Sequence, residues 1–223
     1  VEQDTFAPQA FGYLGYLCLL ALVMRVFAAR LPRDVRWSRP QRAALFVIAA
    51  LAYVAIVMSH QLTPYALIFG IGVLVAVGAT RLYALPLYMG VVAVAWFAYS
   101  AVPFFQQFLR QEGRNIGKVS ENVNSGLGAR LAGTPEHLFV VNTRVAVTLL
   151  LWGLVPVGVL LRRRAGLPNR AFLALAASAV VLIGLQSYGG EILLRVYLFS
   201  LPAVVLFVAA VPILNRLAPA QQA

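Results

Sequence analysis

The sequence predicts an all-α integral membrane protein: a bundle of about seven transmembrane helices, with the N-terminus outside and the C-terminus inside. Three observations predict it. Apolar residues make up 61% of the 223-residue chain against 11% charged, a balance that soluble domains rarely show. Apolar runs of bilayer-crossing length, roughly 17–25 residues, recur along the chain. The basic residues behind the net charge of +11 fall between those runs, which marks them as topology signals rather than a nucleic-acid-binding face.

Membrane helices are expected at about Phe11–Ala29, Ala43–Ser59, Tyr65–Thr80, Leu82–Phe104, Val145–Leu161, Ala171–Gln186 and Leu193–Leu214. The third is short and suits either a span or a buried segment. Pro64 fits its first turn, where a missing N–H costs nothing. Pro86, Pro156, Pro202 and Pro212 are expected inside later helices, as kinks. Gly72 with Ala76, and Ala174 with Ser178, form small-residue pairs that suit close helix approach. Trp96, Tyr99 and Phe104 suit an aromatic belt.

Direction follows from arginine. Arg30, Arg33, Arg36, Arg39 and Arg42 face a single acid, Asp34, between helices one and two. Arg162, Arg163, Arg164 and Arg170 lie between helices five and six without any acid, and Arg81 and Arg216 fall on the same side. These loops are expected in the cytoplasm. Arg25, inside helix one, is expected to snorkel to the headgroups, and Arg162–Arg164 to contact anionic lipid. Residues 1–223 read as one transmembrane helical domain. Cys18 is the single cysteine, so an intrachain disulfide is excluded, and no metal or cofactor is expected.

The opposite side carries the polar segments. The longest, an external loop at about 105–144, is broken by Gly113, Gly117, Gly126, Gly128 and Gly133. It reads either as a solvated connector or as a lid over substrate. Thr134-Pro135-Glu136 is a helix start, with a hydroxyl cap, a first-turn proline and a carboxylate at the positive dipole end. It lifts His137 and Arg144 onto the outer surface.

Two polar islands remain. In Ser59-His60-Gln61-Leu62-Thr63-Pro64, between helices two and three, the Thr63 hydroxyl suits a helix cap. His60 reads as a phosphate contact, a metal ligand or a hydrogen-bonding turn residue; pairing with His137 on haem is a further reading. In Tyr188-Gly189-Gly190-Glu191, Glu191 opens helix seven and Arg195 shares its face at i+4. That pair is either an intrahelical ion pair or an anion site oriented by Glu191, and Glu191 also reads as a general base. Tyr188 and Tyr197 flank such a site or anchor the interface. The candidate substrate-binding residues are therefore His60, Gln61, Tyr188, Glu191 and Arg195, with no catalytic residue assigned.

The same islands, the second followed by Arg195-Val196-Tyr197-Leu198-Phe199-Ser200-Leu201-Pro202, resemble actinobacterial multi-pass envelope proteins similar to the GT-C glycosyltransferase superfamily. The resemblance implies that this chain is the C-terminal part of a longer protein. It implies an enzyme of the cell membrane that uses polyprenyl-phosphate-linked sugars on the extracytoplasmic face, in envelope polysaccharide or glycolipid assembly. His60 and Arg195 would then meet the donor phosphate, and membrane lipids and a glycan acceptor would be the partners, with no nucleic acid. The family's catalytic carboxylate usually lies in the first external loop, where this sequence offers only Asp4. That departure keeps open a non-catalytic subunit or scaffold of an envelope complex. A transporter or lipid flippase wants polar groups near the bilayer midplane, and the helices offer almost none there beyond Arg25.

Overall fold

The computed structural model describes residues 8–29, 37–100, 102, 117–128, 134–184 and 192–217. Among the described residues all regular elements are helical, and four helices are long and apolar enough to cross a membrane: Pro8–Val26, Arg39–Ser59, Pro135–Arg164 and Ile192–Pro212. Three shorter apolar helices, Thr63–Ala76, Ala84–Ser100 and Arg170–Gly184, accompany them. The helical domain expected over 1–223 takes the form of two compact units, Val1–Gln111 and Glu112–Ala223.

The first unit contains α1 (Pro8–Val26), α2 (Arg39–Ser59), α3 (Thr63–Ala76) and α4 (Ala84–Ala95), which runs on as a π-turn over Trp96–Ser100. Gly12, Tyr16, Leu19, Leu20 and Val23 form the buried stripe of α1, and Ala49, Tyr53, Ile56 and Val57 that of α2. These i, i+4, i+7, i+8 rows pack α1 on α2 and α3, with α4 against α2 and α3. The outward faces are just as apolar. Val47, Ile48 and Leu51 on α2, and Leu87, Val91 and Val94 on α4, are all more than half exposed. Water-soluble surfaces do not leave such a band open, whereas hydrocarbon would cover it at no cost. The 14-residue α3 spans only about 21 Å, short of the roughly 30 Å hydrocarbon core, and buries half its length from Thr63 to Leu74. Along that length it packs on α1, α2 and α4.

Helix α2 starts at Arg39, four residues before the expected Ala43, because Ser38 and Gln41 form a capping box. The Gln41 amide donates to Ser38 Oγ, and the Ser38 amide donates to Gln41 Oε1 at 2.9 Å. Arg42 is thereby wound into the helix, its guanidinium 5.4 Å from the Phe27 ring centroid. Arg25, expected about a turn and a half from the end of the first helix, lies exposed in the last turn of α1, where the dipole favours a cation. The chain leaving α1 is tied to the turn after α3: the Ala29 amide donates to the Ala79 carbonyl, and the buried Thr80 hydroxyl to that of Phe27, both at 2.7 Å. That turn closes on Gly78 at φ +70, the left-handed position that favours glycine. Pro86 sits in the first turn of α4 rather than in its interior.

The second unit contains α5 (Val119–Gly128), α6 (Pro135–Arg164), α7 (Arg170–Ser178), continued as a 3₁₀ turn over Ala179–Gly184, and α8 (Ile192–Leu217). Helix α5 occupies part of the loop that its glycines were expected to break; Gly126 and Gly128 fall at its C-terminal end, where they do least harm. Helix α6 starts as the sequence predicts, with the His137 amide donating to the Thr134 hydroxyl. Its main partner is α8, and the two backbones come close at Gly158, where a Cβ would collide with the Phe207 carbonyl. Of the small-residue pairs expected to bring helices together, Ser178 is buried, but Gly72 has nothing within 4 Å of where its Cβ would be.

The Arg162–Arg164 run divides. Arg163 and Arg164 are exposed. Arg162, expected at lipid headgroups, turns inward: Nε donates to Asn169 Oδ1 at 2.9 Å and a terminal nitrogen to the Pro168 carbonyl at 3.0 Å. Its guanidinium lies over the Phe172 and Phe207 rings, 5.5 and 5.9 Å from their centroids. Asn169, itself buried, donates back to the Val159 carbonyl at 3.1 Å. The Pro168 carbonyl, the Asn169 side chain and two aromatic faces draw this arginine away from the surface.

Candidate functional site

His60 closes α2 in extended conformation, its amide donating to the Ile56 carbonyl at 3.0 Å. The ring then folds over the start of α3. The Thr63 amide points at Nδ1 from 3.2 Å, and Thr63 Oγ1 lies 2.7 Å from the same nitrogen. An amide can only donate, so Nδ1 is the acceptor and the ring is the neutral tautomer with its proton on Nε2. The other first-turn donors are satisfied too: Pro64 has none, and the Tyr65 and Ala66 amides both donate to the Leu62 carbonyl. The cap expected from the Thr63 hydroxyl is thus supplied by the His60 ring, and Thr63 lies within the helix. Gly12 of α1 backs the arrangement, since a Cβ there would come within 3.1 Å of His60 and Thr63 atoms. Of the readings open for His60, the hydrogen-bonding turn is the geometry observed.

Beside this turn lies a cleft of about 190 Å³. Ser59, His60, Gln61 and Pro64 form one wall, Val57 and Met58 extend it along α2, and Ala93, Trp96 and Phe97 face them from α4. The π-turn explains why two consecutive aromatic residues reach one cleft: its wider winding brings neighbouring side chains nearer to a common face. Phe97 is held in place by Tyr65, ring centroids 5.9 Å apart. Tyr99 is 87% exposed and stands apart, so Trp96 and Tyr99 of the expected belt separate in role. Phe104 lies outside the described residues.

The structure therefore brings His60 and Gln61 together in one cleft. Arg195 lies in the first turn of α8, half-buried, in the second unit. Tyr188 and Glu191 lie outside the described residues, and the Glu191–Arg195 pair with them. Among the described residues no three His, Cys, Asp or Glu side chains gather as a metal site. Trp96 and Phe97 were not singled out by sequence as cleft residues. Their signal was an aromatic pair two turns from the apolar centre of a helix, and it reads equally well as an interface anchor.

Comparison with protein-family models, with curated proteins and with solved structures finds no match for this chain. The chemistry of the cleft is what remains to read. Among the described residues it offers an amide, a hydroxyl, a neutral imidazole and two aromatic faces, with no Asp, Glu, Lys or Arg in the lining. Such a set binds and orients; it does not by itself supply a charged acid or base.

Proposed function

We propose that this chain is a multi-pass protein of the cell membrane, with about seven spans, the N-terminus outside and the C-terminus inside. It forms part of an extracytoplasmic-facing glycosyltransferase that takes sugars from polyprenyl-phosphate carriers into envelope polysaccharide or glycolipid. The observation supporting this reading is the cleft at the end of α2, the end that the arginine distribution assigns to the outer side. Polar turn groups on one wall and aromatic rings on the other suit a substrate whose tail lies in the bilayer and whose head lies at its surface. The apolar band on α2 and α4 supports the membrane setting. Arg195 stands as the candidate for the carrier phosphate, beside the positive end of the α8 dipole.

A second reading has its own observation. The described residues of the cleft include no carboxylate, and Thr63 occupies the His60 nitrogen that would accept a proton. Those facts favour a non-catalytic membrane subunit that holds substrate for a partner. The chain reconstituted in vesicles, given a radiolabelled polyprenyl-phosphate sugar and a glycan acceptor, separates the two. Transfer that drops in Arg195→Ala supports the transferase. Saturable donor binding without transfer supports the subunit, and neither binding nor transfer removes both.

A further inference from the structure

We infer that the cleft at the α2–α3 turn is a subsite for an uncharged sugar ring, and that the carrier phosphate binds elsewhere. The inference deepens the transferase reading and rests on it for the source of the sugar. Three features of the cleft oppose an anion. Among the described residues its lining carries no cation, so a phosphate entering it would lose hydration to them without a compensating charge. Met58 and Ser59 end α2, and the negative end of that helix dipole points at the same wall. The adjoining start of α3, which would ordinarily attract an anion, has its amides already engaged by His60 and by the Leu62 carbonyl.

The same lining suits a neutral sugar. The half-buried Trp96 ring offers a flat apolar face to the C–H side of a pyranose. Gln61, also half-buried, both donates and accepts, as a ring of hydroxyl groups requires. Ser59 donates to the Ile56 carbonyl at 3.0 Å, which leaves its oxygen as an acceptor beside the cleft. A volume of about 190 Å³ is small for a drug-sized ligand and matches one ring, not an oligosaccharide. An isoprenoid chain would fill the apolar wall but leave the Gln61 amide without a partner.

The test uses the chain in phosphatidylcholine nanodiscs with Trp37→Phe and Trp152→Phe, so that Trp96 alone reports. A panel of methyl hexosides, inorganic phosphate and a short isoprenoid alcohol are titrated separately. At least one methyl hexoside is expected to shift Trp96 emission saturably, with Gln61→Ala weakening it about tenfold at unchanged thermal stability. Phosphate is expected neither to shift the emission nor to compete. A saturable phosphate response, a response to the isoprenoid alcohol alone, or silence toward every probe overturns the subsite. Sugar binding without transfer in the vesicle assay would remove the transferase and leave the subsite standing. Transfer with no sugar response at Trp96 would do the reverse.

Discussion

At the α2–α3 turn a histidine ring covers the start of a helix; at the α6–α7 turn an arginine ties down the turn itself. Both residues stand out in the sequence as polar groups at the edge of apolar helices, and both bond to nearby backbone: His60 to an amide that the start of α3 leaves unpaired, Arg162 to a carbonyl of the turn. The difference lies in what surrounds them. His60 commits one nitrogen to Thr63, and its wall stays open between Gln61 and Trp96. Arg162 is forked onto Asn169 and Pro168 and lies over Phe172 and Phe207, so its corner is filled. A polar residue at a membrane boundary marks a site only where its neighbours leave room beside it. The first turn meets that condition and the second does not.

The filled corner should be the more fragile under substitution. Gly158 packs against the backbone of Phe207, the residue whose ring lies under Arg162, so Gly158→Ala must push α6 from α8. A loss of about 3 kcal/mol is expected, read as a lower thermal midpoint in detergent. Asn169→Ala comes next. It removes the acceptor for Arg162 Nε and the donor to Val159 together, for about 2 kcal/mol. If either variant unfolds no earlier than the parent chain, the corner is loose and the contrast with the first turn fails.

The open turn should yield less. His60→Ala exposes one first-turn amide of α3 and is expected to cost about 1 kcal/mol, the ordinary size of a lost helix cap. A much larger loss would mean that the ring holds more of the structure than its cap. Tyr53, one turn below Val57, has a fully buried hydroxyl with no hydrogen-bond partner among the described residues. Tyr53→Phe is therefore expected to leave stability unchanged or raise it by under about 1 kcal/mol. A clear loss would show that water or ligand reaches that hydroxyl, extending the open side inward.

What the sequence reveals follows the same division. Long apolar runs and the Thr134-Pro135-Glu136 start are properties of local pattern; four helices long and apolar enough to cross a membrane appear, and α6 begins at its predicted start. The early start of α2 was also local, written in Ser38 and Gln41, and went unread because the apolar run begins later. Gly158 and Gly72 look alike in sequence, yet only one meets a neighbouring backbone, because that depends on which helix packs against it. Arg162 differs from Arg163 and Arg164 for the same reason: helix phase turns one of three adjacent arginines toward Phe207. His60 and Gln61 were legible as a polar island, but Trp96 joins them only through the winding of a π-turn. Periodicity carries the elements; it does not carry the partners.

The smallest expected effect concerns a third helix terminus, where the cap is fully exposed. Glu136 follows Thr134 and Pro135 at the start of α6, and its own backbone amide, then the Thr134 hydroxyl, hold its carboxyl below the usual range. A carboxyl lowered in the folded chain adds stability above its unfolded value and surrenders it as pH falls through the folded one. Acidification should therefore fray the first turn of α6, seen as faster amide hydrogen exchange, relative to the intrinsic rate at each pH, at Leu138, whose amide donates to the Thr134 carbonyl. Glu136→Gln should show that faster exchange already at neutral pH, with no further change on acidification. The exchange of Ala66, under the buried His60 cap, should be unmoved by that substitution. Because water screens the Glu136 carboxylate, the global midpoint should barely shift. If the midpoint instead follows the exchange rate, the start of α6 is coupled to the rest of its unit, and an exposed cap weighs as much there as a buried one.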